Sequence, residues 1–419
     1  PLGIEPARPI LPRRTLIYAL PPDADLGSVR VVMGKTISSI QPVAHPVRPG
    51  AAMRPTNGDK VTSYGAAKSV VKGLDTGVYG QDAYFPAAHA RLVGTSNMRD
   101  WTLAHVEVNP VLYHPTRSHL KTAGTIAFRI EYTRRPTKSV SARDGLMDQA
   151  ARTLVANADA ARAWYPQPAT IKAAGAGDGL AILTTDAILN QSTNLFGLIS
   201  HKRSKGFVVQ VITETKVNGN AAATGWNETT GQYPNEKADK IRQWLKANYA
   251  SMRIRYVLLI GDPTPGTGDL PMKMCWPNFA SEYYRECPTD YYFADLTGNW
   301  DLDGDGNHGE EGADAGVGGV DFTPEVYVGR LPVYPDAGWP ATLESIIQKT
   351  IRYENSTSHA WRKKALLPLS YLDPNTDEGV VGEYVKSDIL QPAGWSAYTL
   401  YEQGSCSATY DSAFASNEE

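Results

Sequence analysis

The five residues Tyr256 to Ile260, YVLLI, are apolar without alternation and end on Gly261-Asp262. A strand with one wet face alternates; a continuous run closed by turn residues belongs to a strand covered on both faces, the usual state of a parallel sheet. The surroundings repeat that rhythm. Leu180 to Thr184 and Phe207 to Ile212 read as strands, with Asn194 to Lys205 as a helix between them. A second helix, Asn235 to Tyr249, sets Ile241, Trp244, Leu245 and Tyr249 on one face. Glu325 to Arg330 (EVYVGR) supplies another strand, Pro340 opens a helix carrying Leu343, Ile346, Ile347, Thr350 and Ile351, and Ala365 to Leu372 is expected to return to the same sheet. Residues 179–419 are therefore expected to be an α/β domain, mainly a parallel sheet with helices on both faces. Ligands of such sheets gather beyond the carboxyl ends of strands, which singles out Asp186, Asp262 and Asp373. Any one of them alone is better explained as capping the next turn.

Before residue 136 the pattern differs. Short strands are broken by proline and glycine; Ile126, Phe128, Ile130 and Tyr132 alternate with polar or small residues, and Val106 and Val108 do the same. This predicts an all-β sandwich over 1–136. His45, His89, His105, His114 and His119 are scattered through it without ligand spacing, so no metal is assigned to them. Residues 137–178 read as a linker with one alanine-rich helix, Leu146 to Trp164, and Arg134, Arg135 and Arg143 are expected to be open to a trypsin-like protease.

The most charged stretch, DLDGDGNHGEEGADAGVGG, sets Asp301, Asp303 and Asp305 at alternate positions before Gly306. Hard oxygen ligands at that spacing, with Glu310 or Glu311 to close the shell, suit Ca²⁺. Gly312 stands where an EF-hand would have its twelfth-position glutamate, so this is a calcium loop of another type; a solvated acidic loop is the alternative. Net charge is −3 with no basic block, which removes the electrostatic footprint of a nucleic-acid binder. No apolar run approaches the roughly 18 residues of a membrane span. Gly261 to Gly268 lacks the G-K-[ST] ending of a phosphate loop. Calcium ligands together with only three cysteines favour a secreted bacterial protein. Cys275 and Cys287 are placed to bridge the loop between them, with Cys406 left over.

The order YVLLIGD, PTDYYFADLTGNWDLDGDG, DFTPEVYVGRLPV, then a helix ending in IRYE and a tryptophan before the next strand, resembles the gingipain family of cysteine peptidases. The resemblance covers about 180 to 410 and implies a caspase-like α/β catalytic domain behind a β-rich prodomain. It implies a structural calcium ion at Asp262, Asp321 and Glu325, with backbone carbonyls near Gly318 and Thr323. The Asp301 to Glu311 loop would then be a second site. It also implies a His-Cys dyad, the histidine within Gly-His-Gly and the cysteine at the end of the following strand, with an acid orienting the histidine; by position after Trp361 that acid is Asp373. No Gly-His-Gly occurs here. The dyad is therefore expected in sequence beyond Glu419, in a C-terminal remainder that completes the sheet. The implied function is a secreted, calcium-stabilised cysteine endopeptidase in zymogen form acting on protein or peptide substrates. The alternative is a non-catalytic calcium-dependent surface or interaction protein on the same fold.

Overall fold

The computed structural model describes residues 2–3, 7–50, 70–71, 74–135, 145–166, 177–228, 236–277, 286–310, 312–334, 338–373, 376–402, 404 and 411–414. They fall into two compact units, one up to Ile347 and one from Gln348 onward.

The first unit opens with β1 (Arg14–Leu20), β2 (Arg30–Met33), β3 (Ile37–Pro42), β4 (Ala90–Met98), β5 (Trp101–Val108), β6 (Val111–His114), β7 (His119–Thr125) and β8 (Phe128–Glu131). All pair antiparallel, in small sheets of order β1-β5-β4, β6-β7-β3 and β8-β2. The region is rich in strands, and these divide into three small sheets beside two short pairs, Leu2–Gly3 with Leu11–Pro12 and Val70–Val71 with Leu74–Asp75. Ile130 of β8 packs on Leu20, Ala24, Val29 and Ala104, the core beneath the first of them.

Residues 145–166 are not a free linker. Two short helices, α1 (Asp148–Leu154) and α2 (Ala158–Ala161), replace the single expected helix. They bury Met147, Ala151, Val155, Ala161 and Tyr165 against Ala19, Met98, Trp101 and Leu103 of the β region. Tyr165 stacks on Trp101 at 4.1 Å and donates its hydroxyl to Leu20 O at 2.6 Å, while Trp101 Nε1 donates to Asp148 Oδ1 at 2.8 Å. The helix breaks at Asn157 because that side chain serves the edge of β1: it accepts from Ala19 N at 2.8 Å and donates to Ala19 O at 2.9 Å. Asn157→Ala strips both partners from that edge and is expected to cost roughly 1–2 kcal/mol, read as a lower urea midpoint at unchanged m-value.

After Gly179 the chain builds β9 (Gly179–Leu183), α3 (Asp186–Gln191), α4 (Thr193–Ser204), β10 (Val208–Ile212), β11 (Lys216–Val217), β12 (Asn220–Thr224), α5 (Lys237–Asn248), β13 (Ile254–Gly261), the hairpin β14 (Lys273–Cys275) and β15 (Cys287–Thr289), β16 (Tyr327–Pro332) and α6 (Trp339–Asn355). One six-stranded sheet runs β12-β11-β10-β9-β13-β16. Its β10-β9-β13-β16 core is parallel, and β11 and β12 add an antiparallel edge. Ala181, Leu183, Val257 and Leu259 face Ile241, Trp244 and Leu245 of α5. The alternate residues Leu180, Ile182 and Ile260 are buried outside that cluster, as strand periodicity requires of a sheet covered on both sides.

In the second unit, β17 (Lys364–Leu369), β18 (Ser396–Glu402) and β19 (Ser412–Phe414) form a separate three-stranded parallel sheet. Within this unit β17 pairs with β18, and among the described residues of the first unit the six-stranded sheet ends at β16. An apolar strand carries no mark of which sheet it enters. Helix α7 (Gly379–Tyr384) lies close on this sheet, since a Cβ at Gly382 would come within 2.4 Å of Leu369 and Tyr401.

Candidate cation sites and the propeptide hairpin

The acidic loop closes as a cluster of carboxylates that could hold a metal ion. Oxygens of Asp301, Asp303 and Asp314 lie within 4.8 Å of one another, and so do those of Asp303, Asp305 and Glu310. Four of the expected residues are therefore brought together; Glu311 lies outside the described residues. Gly306, at φ 91°, allows the turn and donates its N–H to Asp301 Oδ1 at 3.2 Å. Asp314 escaped the sequence reading because it stands nine residues after the repeating aspartates end. It is fully buried and ties the loop's two ends, accepting from Leu302 N at 2.6 Å and Glu310 N at 3.0 Å. Burial and then the charges of Asp305, Asp303, Asp314 and Asp301 raise the pKa of Glu310. Asp314→Ala orphans two backbone donors and is expected to cost roughly 2 kcal/mol even in chelator, measured by urea unfolding.

The second expected centre is assembled differently. Glu325 and Asp321 are buried, and their carboxylate neighbour is Asp295, also fully buried, rather than Asp262. Asp262 follows β13, accepts from Thr264 N at 3.0 Å and Thr264 Oγ1 at 2.6 Å, and so caps its own turn. Glu325 stands at the other end of that strand, because one guanidinium nitrogen bonds both Glu325 O and Ile254 O. Eight residues of extended chain separate Ile254 from Asp262, roughly 26 Å. Both residues sit beside the same pair of strands, β13 and β16, and only the parallel register reveals that they occupy opposite ends.

Asp295 organises this cluster. Its Oδ1 accepts from Gly298 N at 2.7 Å, and its Oδ2 from Trp300 Nε1 at 2.9 Å and Asp321 N at 3.2 Å. The Asp-Leu-Thr-Gly order, which forms a turn closed by the aspartate side chain, was the available sequence signal. Thr323 donates N and Oγ1 to Asp321 Oδ1 at 2.9 and 2.6 Å. Glu325 accepts from Leu296 N at 2.6 Å and Thr297 Oγ1 at 3.0 Å, and Gly318 O accepts from Asn299 N at 2.9 Å. Among the described residues none of the three carboxylates forms an ion pair; Lys246 and Arg242 of α5 are the nearby positive charges. Burial, with Asp295 beside it, raises Asp321 to about 7; burial, with Asp295 and Asp321, raises Glu325 to about 8. The hydrogen bonds oppose these shifts without cancelling them.

The β4–β5 hairpin of the N-terminal region is keyed into this end of the sheet. Arg99, at φ 53°, donates Nη1 to Ile254 O at 2.9 Å and Glu325 O at 3.2 Å, and Nη2 to Tyr249 O at 3.4 Å, with its guanidinium 4.7 Å from the Tyr249 ring centre. Its neighbour Asn97 accepts from Thr323 Oγ1 at 3.3 Å.

The other expected residues stay apart. Asp186 pairs with Lys216 at 2.9 Å. Asp373 closes the short strand Tyr371–Asp373, and its side chain, like Cys406 and Arg143, lies outside the described residues. Arg134 and Arg135 are exposed, near Asp23 and Asp25. Burial pushes the Cys275 thiol up to about 12, the reverse of an activated thiolate, and His308 Nδ1 lies 3.0 Å from Gly306 O.

A β-rich region locked by one hairpin onto an α/β sheet has the build of a proenzyme. Comparison with family models specifies the kind. Peptidase family C25 matches residues 176–418 and the C25 propeptide matches residues 4–163. The chain belongs to peptidase family C25, a family of cysteine peptidases, and carries its propeptide region. The propeptide match takes in α1 and α2, in keeping with their packing. No curated protein matches the chain. Similar solved structures include gingipain K from Porphyromonas gingivalis, studied for zymogenic latency, at 15% identity over 32% of this chain and 70% of that one, TM-score 0.24. Another is the complex of Porphyromonas gingivalis RgpB pro- and mature domains, at 18% identity over 37% and 74%, TM-score 0.27. No helix among the described residues is long and apolar enough to cross a membrane.

Proposed function

We propose that this chain is part of the latent form of a secreted, calcium-stabilised cysteine endopeptidase with a caspase-like catalytic domain. The observation that carries the reading is the seat of Arg99: the propeptide region holds the α/β sheet through three backbone carbonyls and is still joined to it by the chain. The acidic loop of Asp301, Asp303, Asp305, Glu310 and Asp314 supports a calcium ion through its convergent oxygens. Asp321 and Glu325, with Asp295 in place of Asp262, support a second ion through their repulsion. The nucleophilic cysteine and its histidine belong to sequence beyond Glu419, with Asp373 orienting the histidine. Further strands of the same protein complete the sheet of β17, β18 and β19, where Leu366 and Tyr398 are exposed. Cleavage near Arg134, Arg135 or Arg143 releases the propeptide.

The test uses the longer protein that includes sequence beyond Glu419. Hydrolysis of fluorogenic peptides that appears on propeptide cleavage and disappears on thiol alkylation supports the reading. Cleaved protein without hydrolysis, or hydrolysis that survives alkylation, overturns it; the former leaves a calcium-dependent interaction protein.

A further inference from the structure

We propose that Cys275 and Cys287 are a thiol-oxidation site, closing a reversible disulfide across the β14–β15 hairpin beneath the acidic loop. The two strands pair antiparallel with Lys273 opposite Thr289, Met274 opposite Pro288 and Cys275 opposite Cys287. Pro288 has no N–H, so the Met274–Pro288 pair cannot exchange two hydrogen bonds; by alternation the cysteines occupy the hydrogen-bonded spacing, with Cα atoms about 5.5 Å apart. That Cα separation lies within the disulfide range, and directly opposed residues project from the same face. The Cβ atoms of a hydrogen-bonded pair stand about 5.5 Å apart against the roughly 4 Å of a disulfide, so closing the bond must draw the strands together and leaves it readily reduced.

The hairpin is fastened on both sides of the pair. Buried Lys273 gives Nζ to Asp239 at 3.1 Å and Glu236 at 2.5 Å, and Trp276 N donates to His308 O at 2.8 Å. A Cβ added at Gly309 of the acidic loop would lie 3.6 Å from Cys275 Cβ, so the thiol packs directly under the loop. Cys275 is buried and Cys287 exposed, which divides the roles.

The oxidant is a low-molecular-weight disulfide such as glutathione disulfide. The Cys287 thiolate attacks it, forming a mixed disulfide and releasing one thiol. Cys275 then loses its proton and attacks the Cys287 sulfur, expelling the second thiol. Two electrons and two protons pass from the chain to the oxidant, whose S–S bond is replaced by the one in the protein. Burial, with Cys287 beside it, pushes the Cys275 thiol up to about 12, so the second step is slow at neutral pH and quickens as pH rises.

The proposal rests on strand register and does not depend on calcium or on peptidase activity. The full chain is equilibrated with graded ratios of oxidised to reduced glutathione, quenched with an alkylating agent and digested with trypsin. The peptides Met274–Arg285 and Glu286–Arg330 are expected to appear linked, lighter by two hydrogens than their sum, and to separate on reduction. Free thiols fall from the three of the chain to one, and Cys287→Ser abolishes the link. Both peptides singly alkylated at every ratio, or Cys275 linked to Cys406, overturns the proposal.

Discussion

Chelation is expected to lower the thermal midpoint of this chain more near pH 8 than near pH 5. Asp321 and Glu325 are raised in the folded protein to about 7 and about 8, from roughly 4 in an unfolded chain. The folded state therefore holds more protons across that window, and stability without a cation falls as pH rises through it. The stabilisation of the protonated pair is fully present below about pH 4 and gone above about pH 8, a change on the order of a few kcal/mol. A bound cation replaces those protons. At about a hundred times its Kd it returns roughly 3 kcal/mol, and it does so where the carboxylates are ionised. Scanning calorimetry at several pH values, with and without EDTA, checks this. Glu325→Gln should flatten the slope in EDTA, while a midpoint in EDTA that stays level from pH 5 to 8 would sink the argument.

Arg99→Ala is expected to destabilise the first unit by roughly 3 kcal/mol, since three carbonyls lose a charged donor and the Tyr249 ring loses its cation. Arg99→Gly separates the two roles of the residue, because glycine accepts the φ of 53° at no steric cost while still removing the donors. Alanine is therefore expected to do more damage than glycine, and lysine to recover part of the loss. Urea unfolding reads the stability. After cleavage at the linker, size-exclusion chromatography reads whether the propeptide stays bound; an Arg99→Ala propeptide retained as firmly as the parent would show that the hairpin is not the anchor.

The continuous run at Tyr256 and the helical face of Ile241, Trp244 and Leu245 were legible because a strand buried on both faces and a helix buried on one have different periods. The acidic loop was legible because its carboxylates follow one another along the chain. Asp314 and Asp295 were not: each acts through bonds to backbone groups brought near by loop closure, and neither interrupts a pattern. The hairpin at Arg99 was invisible for the same reason, since its acceptors Tyr249, Ile254 and Glu325 lie 150 or more residues away.

The sequence by itself determined the family, the order of elements and the residue types able to hold a hard cation, all properties of neighbouring residues or of motif order. The tertiary structure alone decided that Asp262 sits a strand's length from Glu325, that Asp295 is the carboxylate beside Glu325 and Asp321, that residues 145–166 pack on the β region, and that β17 pairs with β18. Each of these depends on which strand pairs with which and on which ends of a parallel sheet coincide. That choice is made by packing across the whole domain, and no local pattern of apolar residues records it.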